Sequence, residues 1–240
     1  MTTADQPPPL SAFTTAERRL IRRLRTPALV QAWLNRLPYN QEKPPAGETQ
    51  RSFRSIVRRR TAHCLEAALA AAVILEQHGY PPLVLSFESI DNLDHVIYAY
   101  REKGRWGSIA RSRDPGLHGR KPVFRTARDL AMSYFEPYVD VSGCIHAFAV
   151  VDVRKAMGTY DWRFSERNLW KLEQMLIDYP HNPLPYKKAR ERKWRRWYAA
   201  FMQRYPGRKP VVYPGRHRWT PLPREFSGRG YAVEFPWPGV

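Results

Sequence analysis

The 240-residue chain has few cysteines, little glycine beside its proline, and a deficit of acid. Two cysteines, Cys64 and Cys144, cannot staple a chain of this size, so no disulfide framework is expected and each thiol is read by itself. Cys144 and His146 stand without a second pair, so zinc-finger spacing is absent and no metal site is expected. The longest apolar run, around Cys64, is broken by Glu66, Glu76 and Gln77, so no membrane span is expected. The opening MTTADQPPPL lacks the charged-then-apolar order of a secretion signal, and a soluble, cytoplasmic protein is expected. There are no internal repeats.

The shortage of acid is large and uneven. Against 40 Lys and Arg stand 22 Asp and Glu, a formal charge of +18. Between Arg154 and Arg218 the balance is 17 to 5. Such a segment attracts polyanions, nucleic acid among them. A solvated basic surface in an arginine-rich chain explains it more simply and is the favoured reading. With 22 prolines against 13 glycines, long irregular connections are expected.

What is present is a clear helical and strand pattern. Residues 1–12 are proline-rich and polar, and are expected to be disordered. Thr14 and Glu17 have capping-box spacing for a helix with Leu20, Ile21 and Leu24 on one face. Pro27 suits the first turn of a second helix, whose expected buried side is Leu29, Ala32, Trp33 and Leu37. After a turn-rich connection and a short basic helix, residues 62–78 form the strongest helical pattern, rich in Ala and Leu and apolar on every face. Three strands should follow, PPLVLSFES, HVIYAYR and RWGSIARS, the last two joined by a tight turn with Gly104. The spacing predicts a loop over RDPGLHGRKP, a helix begun by Thr126, a strand IHAFAVVDV and two further helices. The first of these presents Leu169, Leu172, Met175 and Leu176 inward; the second carries Trp194, Trp197, Tyr198 and Phe201 on one side. Aromatics at helical spacing point to packing rather than to a nucleic-acid stacking arm.

One constellation carries chemistry. Cys64 opens the central helix, where the positive end of the helix dipole favours a thiolate. His95 opens the second strand, and a turn centred near Lys103 sets it opposite about Arg111 or Ser112. The loop bearing Asp114 leaves the third strand beside it, so that carboxylate is the first candidate to orient the imidazole. Asp91, Asn92 and Asp94 are the others. His118 shares the Asp114 loop and is a candidate pocket residue, with Ser112. Trp106 anchors the hairpin and is a candidate wall of the groove. His63, next to Cys64, is read as a capping or surface group, and Cys144 as core.

Cys64 on a core helix, His95 opening a strand, and the hairpin Gly104-Arg105-Trp106 together resemble the transglutaminase-like branch of the papain-like cysteine hydrolase superfamily. The likeness covers about residues 51–138. It implies an α+β fold: a central Cys-bearing helix on an antiparallel sheet, residues 51–153, with N-terminal helices over 1–50 and a basic helical extension over 154–240. It implies thiol chemistry on an amide or ester, as a peptidase, amidase or acyltransferase. Cys64, His95 and Asp114 would be catalytic, Trp106, Ser112 and His118 would line the substrate site, and a protein or peptide-like substrate is expected. No cofactor is implied. The sequence departs from the family at Ala110, where an acid is usual about four residues after the hairpin tryptophan. A binding scaffold that has lost catalysis and a basic nucleic-acid-binding protein are the alternatives.

Overall fold

The computed structural model describes residues 6–42, 47–90, 95–140, 142–211 and 213–226. Asp91, Asn92 and Asp94 lie outside the described residues. The fold is α+β, built on a six-stranded antiparallel sheet.

In chain order come α1 (Thr15–Arg23), α2 (Pro27–Leu34), α3 (Phe53–Arg59) and α4 (Cys64–Glu76). Strands β1 (Leu83–Ser89), β2 (His95–Glu102), β3 (Arg105–Ile109) and β4 (Arg120–Phe124) follow, then α5 (Ala127–Met132) and α6 (Phe135–Tyr138). The chain continues with β5 (Ile145–Asp152), α7 (Val153–Met157), α8 (Trp170–Asp178), β6 (Asn182–Pro183) and α9 (Lys188–Arg204). The sheet runs β4-β3-β2-β1-β5-β6.

Alternation along the strands splits the interior into two cores. Val96, Tyr98 and Tyr100 of β2 join α4 and the N-terminal helices on one face. Ile97 and Ala99 face the other, with Phe87, Tyr134 and the α9 aromatics. Every residue of α4 from Leu65 to Glu76 is buried, as its all-round apolar pattern predicts. The two glutamates that interrupt this run are buried as well and are both satisfied. Glu76 receives Arg154 at 3.1 Å and Arg163 at 2.6 Å. Glu66 accepts from Thr49 Oγ1 at 2.9 Å, from the backbone N–H groups of Arg51 and His63 at 3.1 Å each, and from Asn40 Nδ2 at 3.2 Å. Glu66 therefore ties the connection before α3 to the first turn of α4.

The capping box at Thr14 and Glu17 is present. The hairpin turns through Lys103 (φ 48) and Gly104 (φ 75), a left-handed pair that glycine enables. Its ladder runs from Glu102↔Arg105 to Tyr98↔Ile109 and stops there, so His95 pairs instead with Phe87 of β1.

Three expectations are corrected. Leu29 and Ala32 of α2 are exposed; Val30, Trp33 and Leu34 turn inward. Residues 120–122, expected in the loop, belong to the edge strand β4, where Pro122 is tolerated because an edge needs fewer ladder hydrogen bonds. The helix begun by Thr126 breaks into α5 and α6, since Pro137 fits only the first turn of a new helix. Trp194, Trp197 and Phe201 of α9 are buried in the second core. Among the described residues no helix is long and apolar enough to cross a membrane.

Candidate active site

Residues 38–40 run beside 61–63 through a Tyr39↔Ala62 bridge, which brings Tyr39 and His63 to the start of α4. His63 is the N-cap of that helix, with extended backbone (φ −91, ψ −170). Its side chain therefore does not follow helical spacing, and it turns inward rather than to the surface. His63 is 5% exposed, and its Nε2 lies 2.6 Å from the carbonyl oxygen of Thr49. His95 is 4% exposed; its ring stacks on Phe87, and Nε2 lies 3.0 Å from the carbonyl oxygen of Leu117. Each imidazole thus gives Nε2–H to a backbone carbonyl, which leaves Nδ1 for other work. Both rings lie close enough to Cys64 to act on its thiol.

Burial pushes the Cys64 thiol up, but hydrogen bonds from His63 and His95 and the charges of both rings outweigh it, holding the thiol well below its ordinary range. For His63, burial works against the charged form, yet the Cys64 hydrogen bond, the thiolate charge and Glu66 raise it to about 9. Each group therefore favours the charged form of the other, a thiolate beside an imidazolium. Cys144 is the contrast: burial pushes it up to about 11 despite a Tyr186 hydrogen bond.

Tyr39 completes the centre. It lines the same cavity as Cys64, and burial and then the neighbouring thiolate keep its phenol protonated well above its ordinary value. Its own O–H is left as a donor beside the sulfur, where an acyl oxyanion would form. Sequence reasoning missed both Tyr39 and the role of His63. The only signals were a tyrosine in an irregular stretch and a histidine in the capping position.

The loop that holds His95 is fixed by Arg120, which is wholly buried. Its guanidinium donates to the carbonyls of Gly116 and His118 at 2.6 Å each, and lies over the rings of Tyr134 and Trp219. Tyr134 also donates to the His118 carbonyl, at 3.0 Å. At Gly116 an added Cβ would meet Pro137 at 2.4 Å, so the turn seats flush against α6.

Cys64, His63, His95 and Tyr39 open on a cavity of about 520 Å³. Ser112 and Asp114 line it; Trp106 and His118 are not among its described lining residues. Asp114 pairs with Lys209, and the described hydrogen bonds of His95 go elsewhere. His118 is buried behind Ser112, donating to its carbonyl at 3.0 Å, and burial with the charge of Arg111 lowers it to about 3, so it stays neutral. Trp106 packs in the second core beside Arg101. At Ala110, both backbone groups are bound by Gln31, its N–H at 3.0 Å and its carbonyl at 2.9 Å. No three acidic, His or Cys side chains among the described residues are grouped to hold a metal ion.

No protein-family model and no curated protein matches the chain. Among solved structures, Legionella pneumophila LapG in an EGTA-treated form gives a TM-score of 0.31 at 15% identity, covering 42% of this chain and 65% of that one. A calcium-bound form of LapG gives 0.32 at 16%, covering 41% and 66%. The chain thus spans just under two thirds of each of these. A third LapG structure gives 0.38 at 12%, covering 69% and 92%. Overlap at this level assigns neither family nor activity.

Proposed function

We propose that the chain is a thiol enzyme that transfers acyl groups from an amide or ester, built on a transglutaminase-like core. The observation that carries this reading is the Cys64 thiol at the start of a buried helix, opening with two carbonyl-anchored imidazoles on one cavity. The order of Cys-bearing helix, His-bearing strand and hairpin supports it.

In this reading the Cys64 thiolate attacks the substrate carbonyl, and the developing oxyanion takes a hydrogen bond from Tyr39. The tetrahedral intermediate collapses to a thioester; the C–N or C–O bond breaks and the leaving group takes its proton from an imidazolium. Water, or an amine, then attacks the thioester while the neutral imidazole removes its proton. His63 is the resting ion-pair partner, and His95 is held by Leu117 for proton transfer on the other side of the sulfur. Ser112 is a substrate contact at the cavity wall.

Incubation with p-nitrophenyl acetate tests this. The expected result is an acetyl adduct on Cys64, seen by intact and peptide mass spectrometry, that disappears by hydrolysis and does not form in Cys64→Ala. An ester turned over equally by the Cys64→Ala protein would overturn the reading.

A further inference from the structure

The charge of the cavity runs against that of the chain. With 40 basic residues to 22 acidic, an arbitrary patch of this protein is cationic. Six carboxylates nevertheless line the cavity, Glu42, Glu48, Glu88, Asp114, Asp140 and Glu173, against Arg113 and Lys209. Some have work within the fold. Asp114 pairs with Lys209, Asp140 accepts the N–H groups of Ser142 and Gly143, and Glu42 accepts from the Thr49 N–H at 2.8 Å.

Glu48 and Glu173 have no ion pair among the described residues; Glu173 receives only the Gln50 side-chain amide, at 2.5 Å. They act on each other and on the catalytic centre: burial first, then the charge of Glu48, pushes the Glu173 carboxyl up; His63 opposes this, and Glu42 and Cys64 add to it. Anions beside a thiolate oppose its ionisation, so their presence is a cost that a bound cation would remove. A second feature points the same way. Gln50 lines this cavity and is 7% exposed, and its Oε1 has no hydrogen-bond partner. A buried acceptor left unmade is costly, and here it lies next to a carboxylate with no ion pair among the described residues. Two carboxylates and an amide oxygen suit a cation that brings several N–H donors.

We propose that the cleft selects peptides bearing a lysine or arginine side chain next to the amide attacked, the cation seated on Glu48, Glu173 and Gln50 Oε1. This rests on the reading of Cys64 as a nucleophile.

The test uses three probes on the full chain: chloroacetyl-lysine amide, chloroacetyl-norleucine amide and chloroacetyl-glutamate amide. The rate of Cys64 alkylation by each is divided by its rate with glutathione. The lysine probe should exceed the norleucine probe by about tenfold, and the glutamate probe should be slowest. The preference should shrink at high salt and fall to near unity in Glu48→Gln/Glu173→Gln. A lysine probe no faster than norleucine overturns the proposal, as does a preference that survives the double substitution. The norleucine rate relative to glutathione reports separately on whether Cys64 is activated, so the two readings fail by different numbers.

Discussion

The Nε2 atom of His95 lies 3.0 Å from the carbonyl oxygen of Leu117. A backbone carbonyl, and not the Asp114 carboxylate, meets this nitrogen. It fixes the ring's orientation and tautomer but adds no full charge. Asp114, three residues earlier, lies at the cavity wall with Lys209. Asp114→Asn should therefore change the alkylation rate of Cys64 by no more than about twofold, as expected for a partly exposed ion pair. A loss of a hundredfold or more would restore Asp114 as the orienting acid.

Arg120 acts on that same contact from behind. Its guanidinium bonds the carbonyls on both sides of Leu117, those of Gly116 and His118. Arg120→Met keeps the apolar stem, leaves the Gly116 carbonyl unpaired and leaves the His118 carbonyl with Tyr134 alone, at a cost of about 1–3 kcal/mol in urea unfolding. At temperatures where the variant remains folded, turnover should fall as well, because the Leu117 carbonyl is no longer held against His95. Unfolding at the same urea concentration as the parent would contradict the clamp.

Tyr39→Phe separates oxyanion stabilisation from thiolate formation. Ester turnover should drop by about 10²–10³, the usual effect of losing one oxyanion donor. Alkylation by iodoacetamide passes through no oxyanion and should stay within a few-fold of the parent. Equal losses in both reactions would assign Tyr39 to positioning the sulfur instead.

His63 and Cys64 shift each other in opposite senses. The His63 value is raised from 6.5 to about 9, so its stabilising contribution is complete below 6.5 and is lost as pH rises through about 9. The depressed Cys64 value contributes stability above the ordinary thiol range and loses it as pH falls through the native value. From 6.5 to about 9 the two slopes oppose, and unfolding free energy should be nearly flat with pH. In Cys64→Ala the strongest influences raising His63 disappear and burial remains. Its NMR titration midpoint should then fall by more than one unit; a midpoint still near 9 would place the cause in Glu66 and the Thr49 carbonyl.

Much of the frame was legible in the sequence because local rules and burial agreed. The α4 pattern, the Thr14 capping box and the hairpin turn at Gly104 each have a local physical cause. What escaped lies where partners are distant in sequence. Arg120 reads as one more charge in a basic loop, yet it is wholly buried among carbonyls brought together only by the fold. Glu66 reads as a flaw in an apolar run, yet residues 40–51 and 63 satisfy it. His63 was read as a capping or surface group: it is the N-cap, but the extended backbone of that position turns its ring inward. The acid expected near residue 110 was sought among side chains, whereas His95 meets a main-chain carbonyl that no residue identity announces.

The central claim is that two imidazoles hold Cys64 as a thiolate at neutral pH. The pH dependence of iodoacetamide alkylation tests it most directly, followed at Cys64 by peptide mass spectrometry with buried Cys144 as the internal control. The account predicts a half-maximal rate well below pH 9.0, the ordinary thiol value, and a return toward that value in His63→Ala/His95→Ala. A profile that superimposes on that of the urea-unfolded chain, unchanged by removal of both histidines, would contradict it.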